Sequence, residues 1–388
     1  MAERQMGRST RAVHAGDPPR EAGGPVVTPI HQTSTFFSAP GGGGEVRYTR
    51  YGNNPTQVAL ESRMCALEEA EACLAVGSGM AAISTALLAC LGAGDHILAA
   101  DALYGGTRVL LENELSRLGV TSTYVDFQKG GWEDQIQEST RVLLIEIPTN
   151  PLLRVPDISS IAEIGHSRGL QVVVDATFAT PMNCRPLEHG ADLVVHSATK
   201  YLGGHSDLTA GIVCGGERLI GEARRRARSF GPALDPHAAW LLERGIKTLA
   251  VRMDRHNANG MEVSRWCERH PAIARVNYPG LPTHPDHKIA KDLLNGFGGM
   301  MALELRDGAA ADSFVNALRL AKMAPSLGGV ETLVSEPRFT SHAAMTADER
   351  SAAGMPDGFV RFSLGIEDAE DIIADIQQAL ESGTRESA

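Results

Sequence analysis

The stretch ADLVVHSATKYLGGHSD, residues 191–207, decides how the rest of the chain is read. Leu193, Val194 and Val195 make the short apolar run of a buried strand, and the run stops at Ser197, Ala198 and Thr199. Lys200 follows directly, and the chain turns at Gly203 and Gly204. By itself, a lysine at the mouth of a strand can simply point to solvent. The sequence on either side supplies a setting in which it has a task.

Working outward, DHILAA (95–100), TSTYVDF (121–127), RVLLIEIP (141–148), LQVVVDAT (170–177) and AGIVCGG (210–216) have the same strand texture. Helical patterns alternate with them: MAAISTALLACL (80–91), TRVLLENELSRLG (107–119) and ISSIAEIGHSRG (158–169). Near-continuous Val/Ile/Leu strands separated by helices predict an α/β fold with a mostly parallel sheet covered on both faces. Ligands of such sheets bind at the carboxyl ends of the strands, where Lys200 stands. The first 60 residues carry the turn compositions DPPREAGGP and APGGGGEV and no sustained periodicity. They predict an arm that lies on another part of the protein or on a partner subunit. After about residue 245 the texture changes. A long helical pattern (251–270) leads to strand signals at Ala274–Tyr278, GGMMALEL (298–305) and FVRFSL (359–364), then an amphipathic helix over 367–382. The predicted division is an arm (1–60), a ligand-binding α/β domain (61–244) and a smaller α+β domain (245–388).

A net charge of −11 argues against nucleic acid as a partner, and no window is apolar enough to span a membrane. The N-terminal residues lack the apolar run of a secretory signal, so a cytoplasmic location is expected. The six cysteines form no C-x-x-C pair and read as reduced core residues. His284 and His287, in THPDH (283–287), hint at a metal, but nearby Pro285 and the lack of a third ligand favour a solvated turn and no metal site.

Four features converge on Lys200. Gly77, Ser78 and Gly79 precede a helix, whose free amides and dipole suit a phosphate, although many such turns exist only for the turn. The G-x-G-x-x-G of a dinucleotide site is absent. Asp175 ends a strand, as a ligand group or as a cap. Tyr104 follows a strand, as a cover for a flat ligand or as a packed ring. Ser197 and Thr199 offer hydroxyls to phosphate oxygens. Together they suit pyridoxal 5′-phosphate: the lysine amine condenses with the aldehyde, and the carboxylate keeps the ring nitrogen protonated.

The chain resembles the Cys/Met-metabolism family of fold-type I pyridoxal-phosphate enzymes over nearly its whole length. The likeness rests on YTRYGNNPT (48–56), GSGMAAI (77–83), LYGGT (103–107), IPTNP (147–151), VVDATFATP (173–181), HSATKYLGGHSD (196–207), SLGGVETL (326–333) and VRFSLGIED (360–368). It implies the transferase fold of that group, with a mostly parallel seven-stranded sheet. It further implies Lys200 as the cofactor-anchoring lysine, Asp175 as the ring-nitrogen partner and Tyr104 as the stacking and catalytic ring. Gly79, Met80, Ser197 and Thr199 would bind the phosphate, with Tyr48 and Arg50 reaching that of a neighbouring subunit. Asn150, Ser326 and Arg361 would hold the amino-acid substrate. The implied assembly is a homotetramer built from active dimers.

Within the family, cystathionine enzymes resemble one another in an arginine two residues after the YGGT threonine and an acid before SLGG. Here those positions are Val109 and Pro325. A second amino-acid head would leave its far charges unpaired there. Gly106 stands where methionine γ-lyases carry a cysteine. The reading that follows is γ-elimination of L-methionine to methanethiol, 2-oxobutanoate and ammonia. The alternatives are cystathionine γ-lyase or γ-synthase and, more remotely, a non-catalytic binder or an NAD-dependent dehydrogenase.

Overall fold

The structure is a computed structural model that describes residues 6–340, 343 and 345–385. Its strands are β1 (Ala72–Val76), β2 (His96–Ala100), β3 (Thr121–Val125), β4 (Thr140–Glu146), β5 (Gln171–Asp175), β6 (Leu193–Ser197), β7 (Gly211–Gly215), β8 (Arg275–Asn277), β9 (Met300–Glu304), β10 (Lys322–Met323), β11 (Leu333–Ser335) and β12 (Phe359–Ser363). Two compact units contain them. Among the described residues, the first comprises those within 6–101, 106–145 and 157–250; the second comprises those within 102–105, 146–156 and 251–385.

In the first unit the apolar runs fall where the sequence places them. The larger sheet has seven strands in the order β1-β7-β6-β5-β4-β2-β3. Strand β2 runs parallel to β3 and β4, and β5 runs parallel to β6. Strand β7 is antiparallel to both β1 and β6. Val142–Leu144, Val172–Val174 and Leu193–Val195 are buried almost completely. Each such side chain contributes roughly 1.5–3 kcal/mol by leaving water, which explains why the strand centres carry no charge.

The structure departs from the sequence reading in four places. The N-terminal segment is not all loop: α1 (Arg8–His14) buries Ala12 and gives its carbonyl to Arg63 at 2.8 Å. Helix α2 (Pro55–Glu68) starts before residue 61, because Asn54 forms a capping box with Gln57 and Pro55 fills the first helical position. The helix expected over 107–119 is a short α-turn at Gly105–Val109, a π-helical stretch at Leu110–Leu115 and a 3₁₀ turn at Ser116–Leu118. The THPDH turn is solvated only in part, at Thr283 and Pro285. His284 and Asp286 are buried, and Asp286 accepts from the Arg154 guanidinium at 2.6 and 3.1 Å and from the Val155 amide at 3.0 Å. Among the described residues no cluster could hold a metal ion.

The second unit is built on a five-stranded sheet, order β10-β11-β12-β9-β8, antiparallel except for β10 beside β11. Val360 and Phe362 on β12 pack in one core with Tyr278, Phe314, Ile372 and Ile376. Phe359 points the other way, into a small cluster with Ala302 and Met355. Among the described residues no helix is long and apolar enough to cross a membrane.

Candidate active site

The first unit brings together the start of α3 (Gly79–Cys90) and the ends of β5 and β6. Ser78 caps α3, its hydroxyl accepting from the Ala81 amide at 3.1 Å, which leaves the first amides of the helix free of the cap. Gly79 is pressed against Ser197: a Cβ at that glycine would stand 2.5 Å from the Ser197 Cβ and 2.6 Å from its Oγ. Only a residue without a side chain lets the helix start approach the end of β6 this closely.

A hydrogen-bonded chain continues from Ser197. Its amide donates to Thr177 Oγ1 at 2.8 Å, and the Thr177 hydroxyl and amide donate to Asp175 Oδ1 at 2.5 and 3.0 Å. Burial raises the Asp175 pKa, opposed by the Thr177 bonds and by the nearby His196. His196 is fully buried behind the strand end and bonds Glu68 through Nε2 at 2.5 Å. Thr177 and the Glu68–His196 pair were not picked out from the sequence. A threonine two residues after a strand-end aspartate was the available signal.

Lys200 is half-buried and fixed by its backbone, its amide donating to the Ser197 carbonyl at 3.1 Å and its carbonyl accepting from Gly204 at 2.8 Å. Thr199 is tied to Ala210 on the far side of the turn, at 3.1 Å from the Ala210 amide to Oγ1. Met80 sits beside Gly79 in the first turn of α3. Tyr48 and Arg50 form a separate group. The Arg50 guanidinium lies over the Tyr51 ring at 5.1 Å and donates to the Arg228 carbonyl at 2.6 Å.

The second unit carries Tyr104, Asn150, Ser326 and Arg361. Arg361 is buried in the middle of β12, where Nη1 donates to Asn150 Oδ1 at 2.9 Å and Nη2 to the Ser326 carbonyl at 3.2 Å. Ser326 has φ +103°, an uncommon conformation for a residue other than glycine. The organiser here is Glu146, which the sequence reading passed over as part of an apolar strand. Its carboxylate accepts from the Tyr104 amide at 2.7 Å and from the Asn150 amide at 2.8 Å, fixing both backbones while the Tyr104 side chain stays about half exposed.

The donor set of the first unit fits pyridoxal 5′-phosphate. A helix start shaped by a missing Cβ can take the phosphate, a desolvated carboxylate can face the ring nitrogen, and a lysine stands at the strand end. The family profile of Cys/Met metabolism PLP-dependent enzymes matches residues 9–381. The chain belongs to that family. It is a pyridoxal-phosphate-dependent lyase. It is 43% identical to L-methionine gamma-lyase of Pseudomonas putida, over 97% of this chain and 98% of that one. It is 42% identical to cystathionine gamma-lyase of Bacillus subtilis, over 97% and 100%. Cystathionine gamma-lyase from Lactobacillus plantarum, solved with L-serine, superposes with a TM-score of 0.93 at 37% identity, covering 98% of this chain and all of that one. The α/β fold with its large, mostly parallel sheet and smaller C-terminal sheet is therefore the fold of these lyases.

Proposed function

We propose that this enzyme is a methionine γ-lyase, converting L-methionine and water to methanethiol, 2-oxobutanoate and ammonia. The observation that carries the reading is the pair Val109 and Pro325. Both are exposed and uncharged, and by resemblance they occupy the positions where cystathionine enzymes of the family carry charge. Relatives with methionine- and cystathionine-cleaving activity are equally similar, so overall likeness does not choose between them.

Each residue then has a definite task. When bound, pyridoxal 5′-phosphate supplies the electron sink that stabilises negative charge at the substrate Cα. Gly79, Met80, Ser197 and Thr199 would hold the phosphate, and Asp175 would keep the ring nitrogen protonated. Lys200 would hold the cofactor through Nζ and, once its amine is free, would carry the Cα proton. Arg361 binds the α-carboxylate through both guanidinium nitrogens, oriented by Asn150 and Ser326. Tyr104 would cover the cofactor and supply the proton to the departing methanethiolate. For the assembly we propose a cytoplasmic homotetramer of active dimers, in which Tyr48 and Arg50 serve the partner subunit's phosphate. Support comes from the arm, where Val26, Val27, Ile30, Phe37 and Val46 are all exposed. Sedimentation at a monomer's mass would overturn that part.

The test is product analysis with methionine, cystathionine and O-acetylhomoserine side by side. The expected outcome is a higher kcat/KM for methionine than for cystathionine, with Val109→Arg moving the ratio toward cystathionine. Faster cleavage of cystathionine by the unaltered enzyme would leave the lyase chemistry standing and replace the substrate, making it a cystathionine γ-lyase.

A further inference from the structure

Away from the cofactor groups, three thiols lie near one another in the first unit. Cys73 on β1 and Cys214 on β7 are directly opposite in an antiparallel pair, and their sulfurs are 3.1 Å apart. Both are buried. Opposed residues in such a pair have Cα atoms roughly 4.5–5.5 Å apart, within the span of a disulfide, and a bond requires the sulfurs to close by about 1 Å. Cys65, half-buried in the last turn of α2, interacts with the Cys73 thiol. All three cysteines are free.

The three thiols differ in how readily they ionise. The hydrogen bond from Cys73 holds the Cys65 pKa below the usual thiol value, helped by Arg224 and opposed by burial and Glu61. Burial pushes Cys73 well above that value and Cys214 to about 11, with Glu68 and Glu61 also disfavouring the Cys214 thiolate. The least buried thiol of the three is thus also the one whose pKa is lowered.

We propose that Cys65, Cys73 and Cys214 form a hydroperoxide-responsive relay whose end product is a disulfide between Cys73 and Cys214. The Cys65 thiolate attacks the peroxide O–O bond, leaving as a sulfenic acid while the peroxide is reduced to an alcohol or water. The Cys73 sulfur displaces water from it, forming a Cys65–Cys73 disulfide. Cys214 then attacks the Cys73 sulfur and releases Cys65 as a thiol. In total two thiols lose two electrons and two protons to one hydroperoxide, and a dithiol reductant reverses the change. The bond fastens the edge strand β1 to β7 just before Ser78 and the start of α3.

The experiment treats the holoenzyme with hydrogen peroxide, alkylates in denaturant, and maps peptides with and without reductant. The expected result is a Cys73–Cys214 peptide with Cys65 alkylated. Cys65→Ser should slow its formation at least tenfold, and Cys214→Ala should trap a Cys65–Cys73 peptide. Recovery of Cys65 as sulfinic acid with Cys73 and Cys214 both alkylated, read on the unaltered enzyme, would overturn the proposal. Undiminished linkage in Cys65→Ser would overturn the relay as well.

Discussion

In the seven-stranded sheet the polar groups of interest stand at strand ends, at Asp175, Ser197 and just past one at Lys200; in the five-stranded sheet Arg361 sits mid-strand, opposite Ala302 and Ser335. Parallel strands sheathed on both faces leave no place for a charge until the strand stops, so chemistry collects where loops begin. An antiparallel strand alternates, and Arg361 shares a face with Phe359 while Val360 and Phe362 face the core. A buried guanidinium there needs acceptors, which Asn150 and Ser326 provide. One sheet therefore places its functional groups by ending strands, and the other by interrupting an apolar face with a satisfied charge.

The largest expected effect lies at a strand end. Lys200→Ala should lower kcat by at least about 10³-fold, since on the proposed reading both the covalent anchor and the proton carrier are lost. Borohydride should no longer fix the cofactor to the protein. Retained fixation would move the anchor elsewhere and break the comparison at its centre.

Arg361→Lys keeps the charge but removes the two-pronged geometry. We expect KM to rise about 10- to 100-fold, equivalent to roughly 1.4–2.7 kcal/mol, with kcat changed less. A fall in kcat at unchanged KM would mean that Arg361 does not hold the ground-state carboxylate.

Gly79→Ala tests how tightly the helix start meets β6. The added methyl must displace Ser197, at about 1–3 kcal/mol of overpacking, so weaker cofactor retention and a lower Tm should appear together. A variant with unchanged cofactor retention would show that the close approach does not shape the phosphate site.

The smallest effect separates the two sheets by pH. In the second unit burial pushes His256 down to about 4, while its Nδ1 meets the Leu364 carbonyl at 2.8 Å. The unfolded chain then binds a proton that the folded chain refuses. Stability therefore falls as pH drops from about 6.5 toward 4, by up to about 1.4 kcal/mol per pH unit. In the first unit burial raises Asp175 and Glu61, so their contribution has the opposite sign, growing as pH falls through their raised folded values. Denaturant titrations at pH 7 and pH 5 should show a loss for the native protein that His256→Gln reduces. An equal loss in the variant would assign the acid sensitivity elsewhere.

Much of the fold was legible because burial on both faces writes itself into sequence as runs such as Val172–Val174 and Leu193–Val195. The strand-end positions of Asp175 and Lys200 followed from where those runs stop. Helix α2 was read late, because its start depends on the Asn54–Gln57 capping box rather than on periodicity. Glu146 was not legible at all. An acid within an apolar strand looks like an exposed end until its two amide partners, 42 residues before it and 4 after, are brought to it.

The sequence by itself determined the order of strands and helices, the lysine and aspartate at strand ends, and the family, because each is written in local pattern and motif. Only the tertiary structure decided which polar groups are satisfied and by what. The Thr177 bridge from Ser197 to Asp175, the Glu68–His196 pair, the acceptors of Arg361 and the Cys73–Cys214 thiol pair all join residues from separate elements. Hydrogen bonds and desolvation act over a few ångströms in space, and no local sequence pattern records which distant residues will share that space.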